Sequence, residues 1–287
     1  AVKYHSVIFT NNKASYLSGG GMYVRKYLDL LISMSHFEGN FAKSQGGAVN
    51  TLLGRYITVT KSYFVENLAG QGGAIYCENV TFAKNIKSEF TRNTGSSRGN
   101  VLLLWKSKVF ISMDSSYVGN INTNKCGLLC IRTIDRIRTV DCNFQSNSKS
   151  AFALSFIRHI DIYNSSFING RSEYGTAVYA IKCQNLFLFS CKILNNKAKH
   201  RGGGVLTFQN QGVIIINCTF IRNLAQGEGG GLYIEDIKNV NIRDCFFVHN
   251  SGNCGGGLCI NLAQDSTIVN TQLIRNKATV NGGGLYI

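Results

Sequence analysis

Proline is absent from this chain of 287 residues, and acidic side chains are scarce, with 15 Asp and Glu against 30 Lys and Arg. Without proline every residue keeps its backbone N–H, as strands in the middle of a sheet require. Scattered carboxylates disfavour glycoside hydrolysis, which needs two convergent carboxyl groups. No apolar run reaches the roughly 18 residues that a membrane-spanning helix needs. The five histidines are dispersed, so we expect neither a metal site nor a cofactor.

A repeat of about 27 residues runs through the chain, and such a period indicates one structural unit stacked on copies of itself. An aromatic or aliphatic residue recurs at steps of 23 to 28 residues. The members of this first column are Phe9, Phe37, Phe64, Phe90, Tyr117, Phe144, Phe167, Ile193, Phe220, Phe247 and Leu273. An asparagine follows three residues later in every copy except one, which has Gly170. This second column is Asn12, Asn40, Asn67, Asn93, Asn120, Asn147, Asn196, Asn223, Asn250 and Asn276.

Apolar residues alternate inside each repeat, which is typical of short strands with one buried face. The alternation slips between Ile215 and Cys218, which predicts a corner there. Three short strands separated by corners fit a repeat of about 27 residues, and stacked coils of this kind form a parallel β-helix. We therefore predict an all-β fold, a single right-handed parallel β-helix of about eleven coils with three short strands per coil.

The two columns have a structural interpretation. Stacked phenylalanines would fill the inside of the coil, and stacked asparagine amides would hydrogen-bond from coil to coil. Glycine-rich steps such as Gly229-Gly230-Gly231 recur in every full repeat and are not followed by a helix pattern, so they do not predict a nucleotide site. The ladder residues that we select as scaffold are Phe37, Phe64, Phe90, Phe144, Phe220, Phe247, Asn40, Asn67, Asn93, Asn120, Asn223 and Asn250.

The repeat continues from Phe9 to Gly283 without a linker, so we predict one β-helix domain over residues 1–287. No polar cap is visible at either end, and solenoids normally have caps. We therefore expect a fragment of a longer protein, or a subunit whose ends are covered by neighbours. Unpaired strand edges are templates for pairing, so identical subunits or further repeats would stack end to end.

The cysteines divide into a column and a turn group. Cys142, Cys191, Cys218 and Cys245 share the position two residues before the first column, where most other repeats have Ser or Thr. This pattern favours reduced, buried thiols. Bridges within a turn remain open for the pairs Cys126–Cys130 and Cys254–Cys259.

Surface chemistry is indicated by sequons and by a basic cluster. Three Asn-x-Ser/Thr sequons begin at Asn79, Asn164 and Asn217, and the last two share a corner column, which favours glycosylation there. The basic residues Arg132, Arg136, Arg138 and Arg158 are either a solvated surface or a contact for an acidic glycan. Nucleic acid is disfavoured because no known reader motif is present.

The motifs Phe64–Asn67 and Gly72-Gly73-Ala74-Ile75 resemble the repeats of polymorphic outer-membrane proteins and related right-handed β-helix (pectin-lyase-like) repeats. Similar repeats occur in large surface proteins of ciliates. The resemblance implies an extracellular or cell-surface protein used in adhesion, coating or assembly. It carries over no catalytic residues.

We therefore expect a non-enzymatic structural rod that forms a surface coat, fibre or adhesin. The alternative is a binding module for acidic polysaccharide. A polysaccharide-cleaving enzyme comes third, with Asp114, Asp141 and Asp161 as the nearest approach to an acidic constellation. Any ligand site is expected beside the shortened repeat that runs from Asn147 directly into Phe152.

Overall fold

The computed structural model describes residues 1–98, 101–123 and 127–287, and all regular secondary structure in these residues is β-strand. Parallel strands stack into a β-solenoid of about ten turns with three sheets per coil, which confirms the predicted fold class. The chain divides into two compact units, Ala1–Asn143 and Phe144–Ile287. The single domain over residues 1–287 stays a prediction.

The first unit contains a long sheet, a sheet of three-residue strands and a third sheet. The strands of its long sheet are Val2–His5, Met22–Ser33, Val49–Thr60, Ile75–Ile86, Leu102–Trp105, Val109–Met113, Leu129–Arg132 and Arg136–Val140. The three-residue strands are Ile8–Thr10, His36–Glu38, Tyr63–Val65, Glu89–Thr91 and Ser116–Val118. The third sheet has Lys13–Ala14, Phe41–Gln45, Leu68–Gln71, Thr94–Arg98 and Ile121–Asn122. The strand Asn143–Gln145 contains the boundary between the units.

The second unit has the same three kinds of strand. Its long sheet has Phe152–Ser155, His159–Tyr163, Val178–Ile181, Asn185–Phe189, Val205–Phe208, Gly212–Ile216, Leu232–Arg243, Leu258–Val269 and Leu285–Tyr286. The three-residue strands are Ser166–Ile168, Lys192–Leu194, Thr219–Ile221, Phe246–Val248 and Gln272–Ile274. The third sheet has Arg171–Ser172, Lys197–Ala198, Leu224–Ala225, Ser251–Cys254 and Lys277–Asn281.

Corners between the strands are made by single residues in the left-handed conformation. In the coil that begins at Leu232 these are Asp244 (φ 52°), His249 (φ 55°) and Gly255 (φ 59°), whereas Asp236 (φ 53°) bends the long strand Leu232–Arg243 from within. One such residue turns the chain from one sheet into the next without a long loop. The corner predicted between Ile215 and Cys218 is confirmed, since Asn217 has φ 53°.

The core of each unit is the stack of first-column side chains. In the first unit, the ring centroids of Phe37 and Phe64 lie 4.9 Å apart with planes 2° from parallel, and Phe64 and Phe90 lie 4.8 Å apart. In the second unit, Phe220 and Phe247 lie 4.5 Å apart. The spacing follows from the parallel register, which places equivalent residues of successive coils opposite one another.

We expect the glycine steps to be intolerant of even one added methyl group. A Cβ on Gly203 would overlap the backbone carbonyl oxygen of Gly230 and lie 2.6 Å from the backbone of Leu224. Backbone atoms of paired strands cannot move aside cheaply, so Gly203→Ala is expected to lower the free energy of unfolding by about 3 kcal/mol. Urea unfolding followed by circular dichroism measures this change.

The control is Gly119→Ala. Gly119, unlike Gly203, has a positive φ (60°), but its added Cβ would meet only Arg92 Cγ, at 3.7 Å. The left-handed backbone alone costs about 1 kcal/mol. Equal losses in the two variants would contradict the steric explanation.

Candidate functional site

An asparagine ladder runs inside the first unit beside the phenylalanine stack. Asn67 Oδ1 accepts hydrogen bonds from the backbone N–H of Asn40 (3.1 Å) and from Asn40 Nδ2 (3.0 Å). Asn67 Nδ2 donates to the carbonyl oxygen of Phe37 (2.9 Å) and to Asn93 Oδ1 (3.0 Å). Both polar atoms of a fully buried amide are thus satisfied, as burial requires.

The second unit has its own ladder with one gap. Asn196 donates to Asn223 Oδ1 and Asn223 donates to Asn250 Oδ1, each at 3.0 Å. Gly170 occupies the exceptional position, and its backbone N–H still donates to Asn196 Oδ1 at 3.0 Å. Thr176 Cγ2 lies 2.5 Å from where a Cβ would stand on Gly170, so its methyl group takes the space of the missing side chain.

Tyr117 is the one tyrosine of the first column, and its hydroxyl has buried polar partners. Asn85 Nδ2 donates to Tyr117 Oη at 3.0 Å, and Ser112 Oγ lies 2.8 Å from the same oxygen. Burial raises the pKa of Tyr117 above its usual value, and nearby Cys142 raises it further. Asn85 and Ser112 are neighbours in one column of the long sheet, and the same column is apolar in other coils, as at Val59 and Ile215.

This raised pKa predicts a loss of stability at high pH. The unfolded tyrosine ionises near pH 10 whereas the folded one stays protonated, so its contribution is complete below pH 10 and is lost as the pH rises further. At pH 11 one such group costs about 1.4 kcal/mol. Urea unfolding at pH 9 and pH 11 should therefore show a smaller decrease for Tyr117→Phe than for the wild type. An identical decrease would contradict the assignment.

The cysteine column is buried in both units, and its four cysteines are reduced. In the second unit the backbone N–H of Cys191 donates to Cys218 Sγ at 3.4 Å, and the thiol of Cys218 donates to the carbonyl oxygen of Ile216 at 3.2 Å. Burial raises the pKa of the Cys218 thiol. Cys254 and Cys259 are also free thiols, and Cys126 lies outside the described residues.

The three sequon asparagines all lie at exposed left-handed corners. Asn79, Asn164 and Asn217 have φ angles of 54°, 44° and 53°. Asp114 and Asp141 lie in the first unit at the corner that corresponds to Asn217, between a strand of the long sheet and a three-residue strand, and they are likewise exposed. These two carboxylates therefore lie at the surface, outside any enclosed pocket of the described residues. Asp161 belongs to the second unit.

The predicted basic cluster is divided between the units. Arg132, Arg136 and Arg138 are exposed in the first unit, where Arg136 and Arg138 alternate with buried Ile137 and therefore project from the same face. Arg158 is exposed in the second unit. A ligand contact that uses all four residues stays a prediction.

The shortened repeat in the second unit packs against the next loop. Ser150 Oγ donates to the carbonyl oxygen of Tyr174 at 2.8 Å, and Lys149 Nζ lies 3.6 Å from Glu173 Oε1. Tyr174 in turn stacks on Tyr179 and approaches the ring of His200, with centroids 5.7 and 4.8 Å apart.

A groove that sequence reasoning missed opens beside Tyr174. It has a volume of about 220 Å³ and lies against the outer side of the long sheet of the second unit. Its lining residues are Tyr174, Tyr179, Ile181, Arg201, Leu206, Phe208, Tyr233 and Glu235. The sequence does contain a signal, because Tyr179, Leu206 and Tyr233 are large aromatic or aliphatic residues that share one outward column.

Arg201 organises the polar end of this groove. Arg201 Nε lies 2.9 Å from Glu228 Oε2, an ion-pair distance without hydrogen-bond alignment, and Nη1 donates to Glu235 Oε2 at 3.2 Å. The guanidinium carbon lies 5.0 Å from the ring centroid of Tyr233. Tyr233 Oη donates to Glu235 Oε2 at 2.8 Å. Burial, followed by this bond to a carboxylate, raises the pKa of Tyr233.

The described part of the chain contains neither a metal-binding cluster nor a membrane-spanning helix. In residues 1–98, 101–123 and 127–287 no group of three or more His, Cys, Asp or Glu side chains is placed to hold a metal ion. Over the same residues no helix is long and apolar enough to span a membrane.

Similarity to known families agrees with this architecture. The model for a right handed beta helix region matches residues 107–273, which is more than half of the chain, and the protein belongs to this family. The model for the Chlamydia polymorphic membrane protein repeat matches residues 61–78, which contain the two motifs at Phe64–Asn67 and residues 72–75. The predicted resemblance is thus confirmed.

One solved structure has a more distant similarity to this chain. A crystal structure of a double mutant of the periplasmic alginate epimerase AlgG is 10% identical, with 95% of this chain and 77% of that chain covered and a TM-score of 0.23. A score this low says nothing about the activity of this chain. No curated protein matches the sequence significantly.

Proposed function

We propose that this chain is the β-helical scaffold of a cell-surface protein, with a structural or adhesive role and no catalytic one. The observation that carries the proposal is the ladder itself. The residues that recur in every coil point inward and satisfy one another, as the amides of Asn40, Asn67 and Asn93 do. The recurring residues therefore make the coils rigid, and the residues on the outer faces can differ from coil to coil.

The surface location is supported by the matched repeat, whose family is named for a membrane protein. Antibodies raised against the chain should label intact source cells, and external protease should remove the label. Labelling that appears only after the cells are made permeable would contradict a surface location.

End-to-end stacking is the finer part of the proposal. Each coil pairs with the next through the same columns in parallel register, so a coil of another copy or of further repeats has matching partners to offer. Electron microscopy of native material should show filaments. Dispersed single particles at high protein concentration would contradict stacking.

A second candidate function is the binding of acidic polysaccharide at the outward face of the strand Arg136–Val140. The support is the pair Arg136 and Arg138 on one exposed face, together with the formal net charge of +15. Binding of a sulfated polymer should weaken with added salt and with the double variant Arg136→Ala, Arg138→Ala. Salt-independent binding would oppose this candidate.

Glycosylation at Asn79, Asn164 and Asn217 fits the surface proposal, since all three amides are exposed at corners. Mass spectrometry of native material should find glycans on these asparagines. Unmodified asparagines at all three positions would contradict the proposed glycosylation.

A further inference from the structure

We propose that the groove of the second unit binds one neutral sugar ring of a glycan. Three successive coils build it, because Tyr179 pairs with Leu206 and Leu206 with Tyr233 in parallel register. Two strand spacings of about 4.8 Å separate the tyrosines by about 9.6 Å. Tyr174 and Tyr179 form one wall, and Leu206 and Phe208 lie in the middle coil. Arg201 and Glu235 form the far wall, because the ring of Tyr233 is buried beneath the Arg201 guanidinium.

The chemistry of the lining suits a sugar. The exposed ring of Tyr174 and the half-buried ring of Tyr179 can pack against the C–H face of a pyranose. The carboxylate of Glu235 can accept hydrogen bonds from the sugar hydroxyls, and the guanidinium of Arg201 can donate to them. An apolar pocket with a few convergent polar groups is the usual form of a small-ligand site. The volume of about 220 Å³ is below the range of roughly 300–1,000 Å³ for drug-sized ligands, so the groove accommodates about one monosaccharide.

The charges favour a neutral ring. Arg201 is the cation of the groove, and its charge is already paired with both Glu228 and Glu235. Among the lining residues Arg201 and Glu235 balance each other, so the lining offers no unpaired positive charge to an anionic ring. A uronate or sulfated ring would therefore meet repulsion from Glu235. This site differs from the exposed Arg136 and Arg138 face in both location and preferred ligand, and it does not depend on the surface location proposed above.

The test begins with the whole chain on an array of neutral, uronate and amino-sugar oligosaccharides, followed by titration calorimetry with the best neutral one. Glu235→Gln and Tyr179→Ala should each weaken binding at least about tenfold. The matched control is Glu78→Gln. Glu78 accepts a bond from Tyr76 Oη at 3.0 Å in the first unit, the same pair as Tyr233 and Glu235, and its loss should change affinity less than about twofold.

Several results would overturn the proposal. These are failure of all neutral oligosaccharides to bind at millimolar concentration, tighter binding of the uronate or amino-sugar series, and equal weakening by Glu78→Gln. If a groove variant unfolds, NMR titration of the wild type decides, since shifts must then concentrate on Tyr174, Tyr179 and Arg201. Shifts elsewhere would refute the site, and dependence on Arg136 and Arg138 would assign binding to the basic face.

Discussion

Asn67→Ala is expected to lower the free energy of unfolding by about 4 kcal/mol, because it leaves buried hydrogen-bonding groups without partners. The backbone N–H of Asn40 and one hydrogen of Asn40 Nδ2 both lose their acceptor, and the carbonyl oxygen of Phe37 loses a donor. No water can replace these partners, since Asn40 and Asn67 are fully buried. Urea unfolding curves of the purified chain measure the loss.

The matched control is Asn12→Ala in the same column. Asn12 donates to Asn40 Oδ1 at 2.9 Å, but its own side chain is exposed, and Asn40 Oδ1 keeps the hydrogen bond from the backbone N–H of Asn12 at 3.0 Å. Its loss should cost less than about 1 kcal/mol. Equal destabilisation by the two variants would mean that the ladder contributes through packing alone.

Phe247→Ala is expected to cost about 4 kcal/mol. The ring is fully buried and stacks on Phe220 with centroids 4.5 Å apart. Truncation of a core phenylalanine removes apolar burial and leaves a cavity that a tightly paired coil cannot close, which costs about 3–5 kcal/mol. Thermal and urea unfolding should both show the change.

Phe246 provides the control from the adjacent position of the same strand. Its ring faces outward and is 41% exposed. Phe246→Ala should therefore change stability by less than about 1 kcal/mol. A large loss from Phe246→Ala, or a small one from Phe247→Ala, would reverse the inward and outward assignment of this strand.

The fold could be predicted because residues with the same structural role recur at the same position of each repeat, and this recurrence is visible in the sequence. The corner at Asn217 was predictable for a related reason, since the apolar alternation changes phase across it. The bend within the long strands was not predicted. Its left-handed residues include Lys26, Leu53 and Leu262, which are not turn-forming types, because coil geometry imposes the conformation there.

The groove escaped prediction for a physical reason. Tyr179, Leu206 and Tyr233 follow the period, but an outward apolar column lines a groove only where a loop packs over it. Arg201 reaches over Tyr233 from such a loop, and loop conformation has no periodic signal. The basic cluster was predicted too broadly. Arg158 is close in sequence to Arg136 and Arg138, but it belongs to the second unit and they belong to the first.

The central claim is that hydrogen-bonded columns inside the coils make this chain a rigid scaffold. Residue-resolved amide hydrogen exchange in the wild type and in Asn67→Ala tests it most directly. The Asn40 amide, which donates to Asn67 Oδ1 at 3.1 Å, should be among the slowest in the first unit. In the variant it should exchange far faster than the amides of neighbouring strands. Rapid exchange of Asn40 in the wild type, or no selective change in the variant, would contradict the claim.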